Sequence, residues 1–309
     1  MTLQQLEYIL AVARHGHFGR AADACNVTQP TLSAMIGKLE EEIGAKLFDR
    51  NRQPICPTPL GEKVVRQARE VLSQADSIKD IVQEEKQSLE GMFRIGILPT
   101  IAPYLLPRFF PQLMKRYPKL DIRVQEMKTH EIKEALIQGD IDAGILATIE
   151  GLEEYSQTPL FYEKYVGYVS REDALFKKEV IRTADVAQSS QLWLLDEGHC
   201  FRDQMVRFCQ MKSSQTSQLA YNLGSMETFM RMVESGMGIT FIPELAAMQL
   251  CDSQKELVRP FAIPVPTRQL IMITNRNFIR QTLLEVLVKE IQAGVPKAMW
   301  KLGAGQVLV

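Results

Sequence analysis

Cysteine and histidine are both scarce in this sequence of 309 residues, which holds five cysteines and four histidines. The cysteines are odd in number, widely spread and free of any Cys-x-x-Cys pair, so a structural disulfide framework and a structural zinc site are both disfavoured. Any disulfide is expected to be transient and functional, and no metal or other cofactor is expected. The cysteines are Cys25, Cys56, Cys200, Cys209 and Cys251.

Long apolar runs are also missing. No stretch reaches the ~18 apolar residues that a bilayer-spanning helix needs, and residues 1–5 do not begin a signal peptide. We therefore expect no membrane contact and a cytoplasmic location. The formal net charge of −1 says little about partners, because basic and acidic regions cancel, so any charged surface must be local. The length predicts two or three domains.

Apolar residues recur at helical spacing through the first part of the chain. One predicted helix ends near Gly16, a short one follows, and the turn Asn26-Val27-Thr28 leads into a third helix capped by Thr28. Two short helices joined by a tight turn are typical of a helix-turn-helix, whose second helix enters the major groove. A purely structural three-helix domain is the alternative. The predicted DNA contacts are Thr28, Gln29, Pro30, Thr31, Ser33, Lys38, Arg50 and Arg52.

The same region resembles a known family. Its pattern is similar to the winged helix-turn-helix of LysR-type transcriptional regulators, and the resemblance implies a DNA-binding domain over residues 1–58. Double-stranded promoter DNA is then the expected partner, with RNA polymerase as a further one. The residues that carry the resemblance are Ala21, Ala22, Thr28, Gln29, Pro30, Ser33, Ile36, Leu39, Glu40, Gly44, Leu47, Phe48, Arg50, Thr58 and Gly61.

A long helix is predicted next, over residues 59–89, because the segment has no proline after Pro59 and carries an apolar stripe. A helix of this length cannot cover its stripe alone, so we expect it to pack against a copy of itself. A helix folded back on its own domain is the alternative. In the resembled family this segment is the linker that forms the dimer.

Strand and helix patterns alternate over residues 90–309. Examples are the predicted strands Phe93 to Leu98 and Ile239 to Ile242, and the helix from Leu105 to Tyr117. Such alternation predicts an α/β fold with a largely parallel sheet covered on both faces. The resembled family has a two-lobed regulatory domain of this plan, similar to periplasmic binding proteins, so the resemblance spans essentially the whole chain.

The segment from Gly198 to Gln204 holds the most distinctive chemistry. Cys200 lies between His199 and Arg202, at the start of a helical run. Nearby cations and the positive end of a helix dipole favour the thiolate, the form that attacks peroxide or disulfide sulfur. A free cysteine is more often a small buried hydrophobe, and that alternative is open on this segment alone.

With Cys209, this segment closely resembles the peroxide-sensing branch of the same family. The resemblance implies that hydrogen peroxide oxidises Cys200 to a sulfenic acid, which Cys209 converts to a disulfide. Hydroxyls of Thr100 and Thr129 are then expected to hold peroxide, while Arg268 stabilises negative charge. For His199, support of the thiolate and plain packing are both open. The residues assigned to peroxide binding or thiolate support are Thr100, Thr129, His199, Arg202, Gln204 and Arg268.

The spacing between the two cysteines limits how that disulfide forms. If residues 201–209 are helical, nine residues rise ~13 Å and turn Cys209 to the opposite face from Cys200. A disulfide needs α-carbons within ~4.4–6.8 Å, so the helix must unwind. We expect the change to alter the arrangement of a homodimer or homotetramer and its contacts at the promoters of antioxidant genes.

The leading hypothesis is therefore a peroxide-responsive, DNA-binding transcriptional regulator that is not an enzyme and is reset by a cellular thiol reductant. One alternative is a LysR-type regulator that responds to a small metabolite, with Cys200 incidental. Another is a thiol peroxidase, which the predicted DNA-binding domain disfavours. Cys25 is expected to lie in the core, whereas Cys56 and Cys251 could oxidise but lack a cationic setting.

Overall fold

The computed structural model describes residues 1–186, 191–195, 200–209 and 225–309; of Cys200 it describes the backbone. The chain divides into two compact units, Met1–Lys86 and Gln87–Val309. Each unit has its own hydrophobic core.

The first unit is largely helical. Its helices begin where the sequence offers caps: Thr2 forms a capping box with Gln5, and Thr28 and Thr58 each accept a hydrogen bond from a first-turn N–H. The elements are α1 (Leu3–His15), α2 (Phe18–Ala24), α3 (Gln29–Ile43), β1 (Phe48–Asp49), β2 (Cys56–Pro57) and α4 (Pro59–Glu85).

A tight turn joins α2 to α3, and Asn26 occupies it with a φ of 54°, a left-handed conformation that asparagine tolerates. After α3, the antiparallel pair of β1 and β2 forms the wing. The start of α4 packs closely behind this wing, because a Cβ on Gly61 would lie 2.0 Å from the carbonyl oxygen of Leu47. The winged helix-turn-helix predicted from sequence is confirmed.

One buried carboxylate ties α3 to the wing. Glu40 is 2% exposed and accepts hydrogen bonds from the N–H of Leu47 at 2.9 Å, from Lys46 at 3.0 Å and from Arg50 at 3.3 Å. Burial raises the pKa of Glu40, but these hydrogen bonds and the nearby cations outweigh burial and hold the pKa below its usual value.

Helix α4 covers its apolar stripe only in part. Val65 and Ala68 are buried in the core of the first unit, as the fold-back alternative predicts. Further along, Ile78, Ile81 and Val82 are 64%, 54% and 48% exposed. Each of the two sequence interpretations therefore describes one half of this helix: the second half leaves apolar side chains available for a partner.

The second unit alternates strands with helices. Its strands are β3 (Gly91–Ile97), β4 (Leu120–Glu126), β5 (Ala143–Ala147), β6 (Tyr155–Val169), β7 (Ile239–Pro243), β8 (Val258–Pro260), β9 (Val265–Asn275) and β10 (Gln306–Leu308). Its helices are α5 (Ala102–Arg116), α6 (Thr129–Gln138), α7 (Thr183–Val186), α8 (Cys200–Phe208), α9 (Met226–Glu234), α10 (Glu244–Ala247), α11 (Asp252–Lys255) and α12 (Gln281–Ala293).

The strand order is β4-β3-β5-β9-β6-β7, with β10 beside β9 and β8 beside β6. Strand β3 pairs in parallel with both β4 and β5, as the alternating pattern predicted. The expectation of a largely parallel sheet was wrong for most of the remaining strands. β9 pairs antiparallel with β5 and β6, and β6 pairs antiparallel with β7 and β8, whereas β10 pairs in parallel with β9. The second unit therefore has a mixed sheet and the plan of a two-lobed domain.

Strand β6 was not predicted from sequence. It is fifteen residues long, but Pro159 interrupts its register and the charged Glu163 occupies an inward position between Phe161 and Tyr165. A charge at an inward position breaks the apolar alternation by which strands are recognised. The predicted strand around residues 192–195 is reduced to a single bridge between Leu192 and Ile239.

None of the helices in the described residues combines the length and apolar character needed to cross a bilayer. Within the same residues there is no cluster of three or more side chains suited to hold a metal ion.

We expect Glu40→Gln to lower the free energy of unfolding of the first unit by about 1–2 kcal/mol at pH 7, because an amide forms weaker hydrogen bonds with Lys46 and Arg50 than a carboxylate does. Since folding lowers the pKa of Glu40, this advantage is complete above the ordinary carboxyl pKa and is lost as the pH falls through the lowered value. Hydrogen exchange of peptides from residues 3–58, measured across this pH range, tests the prediction. The exposed neighbour Glu41 provides the control, Glu41→Gln, and equal protection of both variants at pH 7 would contradict it.

Candidate functional site

The first turn of α3 presents the predicted DNA-reading side chains. Gln29, Pro30 and Thr31 are exposed, as is Lys38 two turns further on, whereas Ser33 is half-buried. Space beside this helix is open, because a Cβ on Gly37 would meet nothing within 4 Å. A helix with an uncrowded polar face and a buried apolar face is suited to insertion into the major groove.

Two of the predicted DNA contacts also have structural roles. Thr28 caps α3 through its hydroxyl, which accepts from the N–H of Thr31. Arg50 donates to Glu40 and lies with its guanidinium carbon 5.0 Å from the centre of the Phe18 ring. Arg52 is exposed and pairs with Asp49 at 3.3 Å. The side chain of Arg52 is therefore oriented by an exposed ion pair, whereas that of Arg50 is held by a buried carboxylate and an aromatic ring.

In the second unit, Arg268 is the centre of a buried polar cluster. Arg268 and Glu163 are each 1% exposed and lie opposite each other on the antiparallel strands β9 and β6. The guanidinium donates to one Glu163 oxygen from Nε at 2.9 Å and from Nη2 at 2.7 Å. It also donates to the Thr100 hydroxyl at 3.2 Å and to the Thr100 carbonyl at 3.1 Å. Two of the predicted site residues, Thr100 and Arg268, are thus in direct contact.

Helix α8 packs against this cluster. The ring centroid of Phe201 lies 5.9 Å from the Arg268 guanidinium carbon and 4.9 Å from the ring centroid of Tyr165, edge to face. Gln204 accepts a hydrogen bond of 2.6 Å from the Tyr165 hydroxyl. The structure therefore brings Gln204, another predicted site residue, to the same side of the molecule as Arg268.

The remaining predicted site residues are placed as follows. Cys200 is the first residue of α8, which puts its backbone at the positive end of the helix dipole. Arg202 is half-buried on the same helix. His199 lies outside the described residues. Thr129 is the first residue of α6; its hydroxyl is buried and has no hydrogen-bond partner within the described part of the chain. A buried hydroxyl in that condition is costly and calls for a polar partner.

Cys209 follows the last residue of α8, and its N–H still donates to the Met205 carbonyl at 3.0 Å. The side chain is 4% exposed and carries a free thiol. Burial raises the pKa of Cys209 to about 12, because a thiolate is poorly solvated in the core. Cys209 is therefore a protonated, unreactive thiol while α8 is wound.

The other three cysteines have different surroundings. Cys25 and Cys56 are half-buried free thiols. Burial is the main cause that raises the pKa of Cys25, and the negative charge of Glu7 raises it further. Cys251 is exposed, and hydrogen bonds from the Ser253 side chain and the Gln254 backbone lower its pKa. These local hydrogen bonds, which the sequence did not reveal, favour the Cys251 thiolate.

Glu163 and Tyr165 were missed by sequence reasoning. Neither belongs to a recognisable motif, and their partners Arg268 and Gln204 lie 105 and 39 residues away in the chain. The one available signal was the charge of Glu163 between apolar residues of a strand, since a buried carboxylate requires a cation.

Chemically, the described residues combine a buried guanidinium and polar side chains beside α8, the backbone of one cysteine at the N-terminus of that helix, and a second, buried cysteine just after its last residue. Such a setting supports oxidation of a thiolate and the later formation of a disulfide.

Two family profiles match the chain. Residues 3–62 match the bacterial regulatory helix-turn-helix protein of the lysR family, and residues 86–296 match the LysR substrate binding domain.

Individual proteins agree with these profiles. The chain is 34% identical over 293 residues to the DNA-binding transcriptional dual regulator OxyR of Escherichia coli K12, with 95% of each chain covered. Its fold is similar to that of a full-length OxyR variant from Pseudomonas aeruginosa, with 36% identity, a TM-score of 0.76, and coverage of 94% of this chain and 98% of the other. It is also similar to OxyR from Porphyromonas gingivalis, with 51% identity, a TM-score of 0.66, and coverage of 71% of this chain and 99% of the other.

We expect Arg268→Met to lower the free energy of unfolding of the second unit by about 3–5 kcal/mol, because it leaves the Glu163 carboxylate buried without a cation. Adding Glu163→Gln removes that charge and should recover more than half of the loss. Urea unfolding followed by tryptophan fluorescence measures this unit alone, since the two tryptophans, Trp193 and Trp300, both belong to it.

The control is Arg171→Met, which breaks an ion pair whose partners are 61% and 62% exposed and should cost less than about 1 kcal/mol. A double variant no more stable than Arg268→Met would show that the uncompensated charge is not the cause of the loss.

Proposed function

The chain belongs to the LysR family of bacterial regulatory proteins and to its OxyR branch, and on that basis we propose that it is a DNA-binding transcriptional regulator that senses hydrogen peroxide through Cys200. Curated relatives in this branch are named hydrogen peroxide-inducible genes activators, among them that of Dickeya chrysanthemi, 33% identical over 304 residues. The proposal assigns promoter DNA to α3 and the wing, and peroxide to the cluster beside α8.

In the first chemical step, the Cys200 thiolate attacks one oxygen of hydrogen peroxide. The O–O bond breaks, Cys200 becomes a sulfenic acid, and the leaving hydroxide takes a proton to become water. The position of Cys200 at the N-terminus of α8 supports the thiolate. Arg268 supplies positive charge from beneath the helix, and the hydroxyls of Thr100 and Thr129 are suited to hold the peroxide oxygens.

In the second step, the Cys209 sulfur attacks the sulfenic sulfur, its proton leaves with the sulfenic hydroxyl as water, and a disulfide forms. This step cannot take place on the wound helix. Nine residue steps along a helix place Cys200 and Cys209 ~13 Å apart along the axis, whereas a disulfide needs α-carbons within ~4.4–6.8 Å. Helix α8 must therefore unwind and release Cys209 from the core.

The observation that carries the proposal is the burial of the Cys209 thiol at the end of a helix that begins at Cys200. After Cys200 is oxidised, opening of the helix allows the disulfide to form, and the disulfide then holds a second arrangement of the segment. A covalent change that selects between two packings is a switch.

Transmission to DNA requires a partner copy of the chain. The exposed apolar side chains in the second half of α4, including Ile78 and Ile81, are suited to pack against the same helix of a second subunit. A homodimer, or a homotetramer built from two of them, then places two α3 helices on neighbouring half-sites. Oxidation changes the subunit arrangement and so the contacts at the promoters of antioxidant genes; RNA polymerase receives the signal and a cellular thiol reductant resets it.

Stoichiometric peroxide should convert the wild-type protein to the Cys200–Cys209 disulfide and change its DNA footprint, because the disulfide holds the rearranged segment. Cys200→Ser should abolish both responses, and Cys209→Ser should stop at a sulfenic acid that dimedone traps. Thiol mapping by mass spectrometry and footprinting on the same samples provide the measurement. Cys251→Ser, at an exposed thiol, is the control that should keep both responses.

A Cys200→Ser variant that still responds would point to a metabolite-responsive regulator. Peroxide consumption far beyond one equivalent per thiol in the presence of a reductant would point to a thiol peroxidase.

For DNA recognition, Gln29→Ala should weaken specific binding by about 1–3 kcal/mol and leave non-specific binding unchanged, because its amide is placed to pair with a base edge. Lys38→Ala should weaken both kinds of binding and reduce the salt-dependence slope by about one. Fluorescence anisotropy at several salt concentrations checks both effects. Lys79→Ala, 82% exposed on α4, is the control, and equal losses for all three variants would contradict the assignment of α3.

A further inference from the structure

We propose that Tyr165 is a positioning residue that holds α8 wound, and that it thereby sets how readily Cys209 reaches an oxidised Cys200. The inference rests on the redox mechanism proposed above and adds to it the interaction that opposes the second step. We call the contacts of Tyr165 with Gln204 and Phe201 the α8 latch.

Helix α8 needs contacts from outside itself. It has nine residues, fewer than the ~12–15 below which an isolated helix is marginal in water. Phe201, Gln204 and Met205 are buried on one face of the helix, and Phe208 packs edge to face on Phe261 at 5.8 Å. The contacts along this face therefore decide whether the helix stays wound.

Tyr165 supplies both a polar and an apolar contact to that face. Its hydroxyl donates to Gln204 at 2.6 Å, and its ring meets the Phe201 ring at an angle of 84°. The other end of the Gln204 amide donates to the Thr148 carbonyl at 3.4 Å. Gln204 is thus fixed at both ends in a buried setting, where a hydrogen bond is strong and an unpaired partner is costly.

Tyr165 cannot follow the helix when it unwinds. The residue is fully buried in β6, where it pairs with Pro243 of β7 while its neighbour Lys164 pairs with Thr267 of β9. Since β6 is held on both sides, unwinding of α8 must break the bond between Tyr165 and Gln204. The latch therefore belongs to the dithiol arrangement and is lost in the disulfide.

This placement separates the two chemical steps. Attack of Cys200 on peroxide takes place with α8 wound and the latch closed, so loss of the latch hydroxyl leaves its rate unchanged. Attack of the Cys209 sulfur on the Cys200 sulfenic acid, which releases water and forms the S–S bond, takes place only after the latch opens. A weaker latch speeds this second step and shifts the equilibrium towards the disulfide.

The test uses Tyr165→Phe in the full-length protein, which removes the hydroxyl and keeps the ring beside Phe201 and Arg268. Tyr168→Phe is the matched control: Tyr168 is also fully buried on β6, but its hydroxyl donates to Glu234 at 2.9 Å, on α9. Quenched-flow alkylation with dimedone and mass mapping follow the sulfenic acid and the disulfide after mixing with hydrogen peroxide. Equilibration with a dithiothreitol redox couple gives the midpoint potential.

We expect Tyr165→Phe to form the disulfide from the sulfenic acid about tenfold faster, since loss of one buried hydrogen bond is worth roughly that factor. The rate of sulfenic acid formation should change less than about twofold. A tenfold shift of the dithiol–disulfide equilibrium makes the midpoint potential ~30 mV more negative. Tyr168→Phe should leave all three quantities near the wild-type values.

Hydrogen exchange of residues 201–208 in the reduced proteins tests the latch apart from the redox mechanism, and Tyr165→Phe should lower their protection about tenfold. If the wild type forms the disulfide but Tyr165→Phe changes neither this protection nor the second step, the latch is wrong and the proposed function stands. If the wild type forms no disulfide, the proposed mechanism fails, and the exchange measurement alone decides whether Tyr165 holds α8.

Discussion

A buried guanidinium is the constraint on which the arrangement of the second unit depends. Arg268 carries a positive charge at a position that is 1% exposed, so it must be met by Glu163 and by oxygens of Thr100. Isolated burial of such a charge is prohibitive, and the pairing therefore fixes the register of β9 against β6 and the end of β3. The aromatic rings of Tyr165 and Phe201 complete the enclosure and bring α8 to the same place.

The buried cluster around Arg268 is held more rigidly than the helix that packs against it. Arg268 and Glu163 stand on strands that are paired on both sides, whereas α8 is a short helix held by one buried face. A rigid buried ion pair beneath a marginal helix is suited to a switch, because chemistry at the start of the helix can alter the helix without disturbing the ion pair. Under the proposed function, a disulfide with Cys209 is the end state of that change.

In the first unit, Glu40 has a comparable role on a smaller scale. Its carboxylate holds Lys46, Arg50 and the backbone of Leu47, so the wing keeps a fixed position relative to α3. Arg50, predicted from sequence as a DNA contact, is consequently part of the scaffold as well. The exposed polar side chains on the first turn of α3 are left to face outward, as recognition of a base edge requires.

The sequence by itself determined the local elements: caps such as Thr28, the apolar stripes of α1 to α4 and the parallel strands β3 to β5 follow from residues near one another in the chain. It also indicated Cys200 through its neighbours in the chain, and Cys209 and Arg268 through a resemblance. Only the tertiary structure decided the antiparallel pairing of β6 with β9, the placement of Glu163 and Tyr165, and the depth of Cys209. The physical reason is that each of these depends on a partner far away in sequence, and burial of a charge, a hydroxyl or a thiol is set by what the whole fold packs around it.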